Sequence, residues 1–168
     1  MRTLALIALM MSTAAVGGCA GHAHYSGLQG REIKALSESD IDGLKAGRGM
    51  SLALAAELNG YPGPLHTLEL AEKLSLSASQ RGATQHLYER MKVSAISAGE
   101  VLIAAERSLD HLFATRAATE QQVSEALSRV AEAQARLRGV HLQAHLEQVR
   151  ILSPEQVAQY RRLRGYGG

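Results

Sequence analysis

Residues 77–115 read SASQRGATQHLYERMKVSAISAGEVLIAAERSLDHLFAT, and this stretch decides the fold. Its apolar positions are Leu87, Met91, Ala95, Ala98, Val101, Leu102, Ala105, Leu109, Leu112 and Phe113. They recur at steps of three and four, the period of one stripe on an α-helix. At the helical rise the segment spans roughly 55 Å. Arg116-Ala117-Ala118 interrupts the pattern, and a second stripe follows through Val123, Leu127, Val130, Leu137, Leu142, Leu146 and Val149. A short polar break between two long helices predicts an antiparallel pair.

Three helix starts share one chemistry: Ser77-Ala78-Ser79-Gln80, Thr119-Glu120-Gln121-Gln122 and Ser153-Pro154-Glu155-Gln156. In each, the hydroxyl can accept from the third helical N–H while the glutamine reaches back to the N–H of the cap. Pro154 stands where a missing N–H costs nothing, and Leu152 and Val157 hold the staple positions. The last helix is expected from Ser153 to about Arg164.

Upstream the signals are shorter. Ser37-Glu38-Ser39-Asp40 is a capping pattern, but Gly43, Gly47 and Gly49 interrupt the segment it opens. Met50 to Leu58 reads as a short helix stopped by Asn59-Gly60. Tyr61-Pro62-Gly63-Pro64 is a rigid turn, and Leu65 to Leu74 a further short helix. The expected fold is all-α: a long antiparallel helical hairpin with short flanking helices.

The first residues point to export. Arg2 precedes the apolar run Leu4 to Met11, which is too short to span a bilayer, so residues 1–18 read as a signal peptide. Val16-Gly17-Gly18-Cys19 resembles a bacterial lipobox, which implies lipidation of Cys19; an ordinary secretory leader cleaved elsewhere is the alternative. Cys19 is the single cysteine, which excludes an internal disulfide. Residues 19–35 are expected to form a flexible tether, 36–60 a short helical segment and 61–168 the main helical domain. Ala20 after the cysteine, by analogy with lipoprotein sorting, fits a periplasmic protein anchored in the outer membrane.

Composition narrows the function classes. Without Arg2 the 18 basic side chains become 17 against 16 acidic ones, too even a balance for a general polyanion binder. With one Phe, five Tyr and no Trp there is little for bases to stack on, so no nucleic-acid role is expected. Gly49-Met50-Ser51-Leu52-Ala53 lacks the second glycine of a nucleophile elbow, and Gly47-Arg48-Gly49 does not complete a nucleotide fingerprint. A non-enzymatic protein is expected.

Histidines carry what site chemistry there is. His141 and His145 are four apart, hence on one helix face, a spacing that suits a divalent ion held by two imidazoles. Leu142 stands where a zinc peptidase needs glutamate. His86, on a flank of the partner helix, is the candidate third ligand. His22-Ala23-His24 can present two imidazoles on one side of an extended chain. The alternative for His141 and His145 is a pair of partly buried polar edges at a helix interface. No cofactor is required by these patterns, and a divalent metal (Zn, Cu or Ni) is the one they admit.

Leu76-Ser77-Ala78-Ser79-Gln80 and Leu152-Ser153-Pro154-Glu155-Gln156 resemble the paired LTxxQ motifs of the Spy/CpxP family of bacterial periplasmic proteins, with serine for threonine in both. The resemblance covers roughly residues 61–165 and rests on Leu76, Ser77, Gln80, Leu152, Ser153 and Gln156. The family includes ATP-independent chaperones, negative regulators of envelope-stress signalling and zinc-resistance-associated relatives; related heavy-metal sensors share its helical-hairpin architecture. The resemblance implies an all-α fold of long hairpin helices paired as a homodimer and does not select among those roles. The expected function is ATP-independent binding of unfolded or stress-damaged envelope proteins in envelope-stress or heavy-metal resistance, with a histidine-based metal sensor as the second reading.

Overall fold

The computed structural model describes residues 25–166. The signal peptide, Cys19, His22 and His24 lie outside the described residues. The chain divides into two units, Met1–Gly30 and Arg31–Gly168. In the first, the described residues form one turn of 3₁₀ helix at Leu28–Gly30, with the Gly27 N–H donating to the Gln29 side chain at 2.8 Å.

The second unit is all-helical, with no strand among the described residues: α1 (Glu38–Lys45), α2 (Leu54–Glu57), α3 (Pro64–Glu69), α4 (Ala78–Ala114), α5 (Glu120–Ile151) and α6 (Pro154–Leu163). Four of these starts carry complete capping boxes, at Ser37/Asp40, Ser77/Gln80, Thr119/Gln122 and Ser153/Gln156. Each satisfies two N–H groups that the first helical turn otherwise leaves unpaired.

The two long helices lie side by side and run in opposite senses. Gln80 meets Ile151, Thr84 meets Gln148 and Arg90 meets Glu147, so the partner number falls as α4 advances. The main core combines Ala95, Ala98, Leu102 and Ile103 of α4 with Val130, Ala133 and Leu137 of α5, roofed by Leu44 of α1 and by Ile33. Small side chains let the helices approach closely. Gly99 is the extreme case: a Cβ there would lie 2.7 Å from the Leu44 carbonyl oxygen, so α1 can sit on α4 only over glycine. A second cluster gathers Ala71, Leu74 and Leu76 of the segment between α3 and α4 with Leu152 at the end of α5 and Tyr160 of α6.

Several boundaries differ from the sequence expectations. α1 continues through Gly43, and the glycine leaves room for Met50, whose Sδ lies 2.6 Å from where a Cβ would stand. The expected helix from Met50 shrinks to Leu54–Glu57: Met50 and Ser51 have φ of 41° and 63°, which a right-handed helix does not accommodate. The expected tether ends sooner than residue 35, since Ile33 is fully buried in the core. The buried residues of α5 also depart from the expected stripe. They are Ala126, Val130, Ala133, Leu137, His141, Ala144, His145 and Gln148, while Leu127 and Leu146 are exposed. The step of five from Leu137 to Leu142 already breaks helical phase; His141 and Ala144 keep it.

Candidate functional site

The two leucine-led cap motifs meet in space. Leu76 and Leu152 are buried in one cluster. Gln80 Nε2 donates to Gln156 Oε1 at 2.7 Å and Gln156 Nε2 to Gln80 Oε1 at 3.1 Å. Their remaining amide protons go to the carbonyls of Ile151 (2.9 Å) and Leu74 (3.2 Å). Both side-chain oxygens also accept from the backbone of their own caps, Ser77 (3.1 Å) and Ser153 (2.9 Å). Every donor and acceptor of the two carboxamides is thereby used.

One turn along α6 from Gln156, Tyr160 reaches a second polar cluster, since residues four apart share a helix face. Its hydroxyl donates to Glu57 Oε1 at 2.5 Å. The Tyr166 hydroxyl lies 3.2 Å from the same oxygen, His66 Nδ1 3.4 Å and Arg164 Nε 3.5 Å. From α5, His145 Nδ1 sits 2.7 Å from the Tyr61 carbonyl, an acceptor, so that nitrogen carries the proton. The ring lies against Gly63, where a Cβ would be 3.0 Å from His145 Cε1. The proline-glycine turn is thus shaped to admit His145, and Thr67 secures it by donating to the Gly63 carbonyl at 2.8 Å.

Two buried atoms in this cluster have no hydrogen-bond partner: Glu57 Oε2 and His141 Nε2. Both residues line a cavity of about 370 Å³ together with Met50, Leu54, His66 and Tyr166. Burial alone would raise the Glu57 pKa, but hydrogen bonds from His66 and Tyr160 and the positive charge available at His66 and His145 outweigh it and bring the carboxyl to about 2. Tyr160 is pushed well above the ordinary phenol range by burial and by the carboxylate it contacts. His141 is lowered, first by burial and then by charge at His145, which favours the neutral ring.

An apolar groove adjoins this cavity. A hollow of about 530 Å³ is lined by Leu36, Leu44, Met50, Leu52, Leu102 and Leu137, with Asp40 and Arg138 on its rim. It continues into one of about 440 Å³ that includes Leu54 and Leu58. Leu54 and Leu58 are each about half exposed. Met50 lines both hollows and the Glu57 cavity.

The expected site residues are therefore distributed unevenly. The six cap-motif residues come together. His141 and His145 are buried one turn apart on α5, whereas His86 is exposed on α4. Among the described residues no group of three or more His, Cys, Asp or Glu side chains is arranged to hold a metal ion. Sequence reasoning missed Glu57, Tyr160 and Tyr166. The one local signal was the placement of Tyr160 three residues beyond Val157, on the apolar side of α6.

No protein-family model matches this chain, and comparison with curated proteins and with solved structures finds no match.

Proposed function

We propose that this chain is a periplasmic, lipid-anchored binding protein of Spy/CpxP-like architecture, with α4 and α5 as the long hairpin. In this reading it holds exposed segments of unfolded or stress-damaged envelope proteins, without ATP and as a homodimer. The single observation that carries the reading is the groove running from Leu36 and Leu44 past Met50 to Leu54 and Leu58. A partly exposed apolar groove, with Met50, Leu54 and Leu58 as its exposed members, suits weak, sequence-tolerant contact with unfolded chains, and the pliable thioether of Met50 adapts to different side chains. The cap motifs contribute by fixing the helices that frame the groove.

The test is light scattering of a chemically denatured client diluted into buffer without nucleotide. Stoichiometric protein should suppress aggregation, and L54S/L58S, at exposed positions, should weaken suppression several-fold with unchanged helicity. Equal aggregation with and without the protein would sink the reading.

A further inference from the structure

The Glu57 cavity and the apolar groove share a wall: Met50, Ser51 and Leu54 line both. A chain lying in the groove therefore passes the mouth of a polar pocket. Inside, the Glu57 side chain is 8% exposed and His141 3%, and each offers an unpartnered atom, Oε2 and Nε2. A buried acceptor without a donor is costly, and more so when charged. Tyr160, Tyr166 and His66 all face Oε1, while His145 Nδ1 is directed to the Tyr61 carbonyl and lies 3.7 Å from Oε2. Arg164 also lines the cavity; its Nε faces Oε1 and donates to the Tyr166 hydroxyl at 3.2 Å, and its guanidinium lies over that ring, so its charge is engaged on the Oε1 side of the carboxylate. In the tautomer protonated at Nδ1, a neutral His141 presents a lone pair at Nε2. Two bare acceptors, one ionised, at the end of a partly apolar approach call for a group with at least two N–H donors on a flexible apolar stem.

We propose that the Glu57–His141 cavity receives a lysine or arginine side chain of the polypeptide held in the groove, so that the preferred segments are apolar stretches carrying a basic residue. This rests on the reading of the groove as a client-binding surface and adds a specificity element to it. The ammonium or guanidinium donates to Oε2 and to Nε2, and the methylene stem packs along Met50 and Leu54.

The experiment is fluorescence anisotropy with the full chain and three labelled apolar peptides that differ at one central position: lysine, norleucine or glutamate. The lysine peptide should bind about tenfold more tightly than the norleucine peptide, the equivalent of one charge-assisted hydrogen bond, and the glutamate peptide most weakly. Glu57→Gln and His141→Leu should each shrink the lysine preference to about twofold or less. Circular-dichroism melts check that both variants fold; if Glu57→Gln unfolds, the wild-type peptide series and His141→Leu still decide. Equal binding of lysine and norleucine peptides by the wild type overturns the cavity assignment and leaves the groove standing. Failure of every peptide to bind overturns the groove reading first, and the cavity assignment with it. A zinc chloride titration is run alongside: stoichiometric zinc uptake lost in both variants, without a lysine preference, would make the cavity a metal site and overturn the proposal.

Discussion

Gln80 and Gln156 face each other across 76 residues of chain, each carboxamide donating to the oxygen of the other at 2.7 and 3.1 Å. The pairing joins the start of α4 to the start of α6, so two local capping motifs act as one tertiary fastening. Replacing either glutamine strands the amide of the other and the carbonyl of Ile151 or Leu74.

Gln80→Leu should therefore cost about 2–3 kcal/mol, and Gln156→Leu a similar amount, by urea unfolding. Because both remove the same contact, the double variant should cost less than the two added together. Strict additivity would show that the glutamines act only on their own caps.

The glycines of the long helices should respond in opposite ways. Gly99→Ala drives a methyl group to 2.7 Å from the Leu44 carbonyl and should destabilise by about 1–3 kcal/mol as α1 is pushed off. At Gly82 and Gly139 nothing lies within 4 Å of an added Cβ, so alanine there should raise stability by up to about 1 kcal/mol. Thermal melts of the three single variants check the contrast. A Gly99→Ala protein as stable as the parent would refute the close contact.

Those three glycines also show where sequence reading stops. Helical period and hydroxyl–glutamine spacing are local, so α4, α5, α6 and their caps can be read from residues within a few positions of one another. Which glycine lies under a carbonyl depends on a contact between Leu44 and Gly99, far apart in the chain. The same limit hid the Glu57 cluster: its links to His145 and Tyr160 depend on how α5 and α6 return past the turn at Pro62–Pro64. Ile33 sits alone in a polar stretch with no period to announce its burial. Leu142 and Leu146 misled for the opposite reason, since hydrophobicity suggested a stripe that phase assigns to His141 and Ala144.

Acid should weaken the fold in two stages. His141 is lowered in the folded protein, so below its ordinary value of 6.5 the unfolded chain takes up the proton more readily and stability falls. Glu57 is lowered from 4.5 to about 2; its contribution is whole above pH 4.5 and is lost as pH falls toward 2. Melting temperature measured from pH 8 to pH 2.5 should therefore decline below about 6.5 and again below about 4.5. His141→Leu should flatten the first decline and Glu57→Gln the second. Persistence of the lower decline in Glu57→Gln would assign it to other carboxylates.

Glu106 should behave in reverse. It is buried on α4 with no hydrogen bond or ion pair among the described residues, and burial raises its pKa. A raised carboxyl favours folding below its ordinary value of 4.5 and opposes it as pH rises through the folded value. Glu106→Gln should then be more stable than the parent at pH 7, by about 1 kcal/mol, with the advantage shrinking near pH 4. Urea titrations at the two pH values decide it, and a less stable variant at pH 7 would disprove the assignment.

The distribution of supports along α4 and α5 has a mechanical consequence. The Gln80–Gln156 fastening and the second apolar cluster clamp one end of the pair. Farther out, Glu32–Arg107 and Lys34–Asp110 are the last ion pairs among the described residues joining α4 to the covering chain, and Phe113 beyond them is exposed. Such a beam is a cantilever: thermal bending accumulates toward Thr115, and amide exchange should quicken from the clamped root to the free tip.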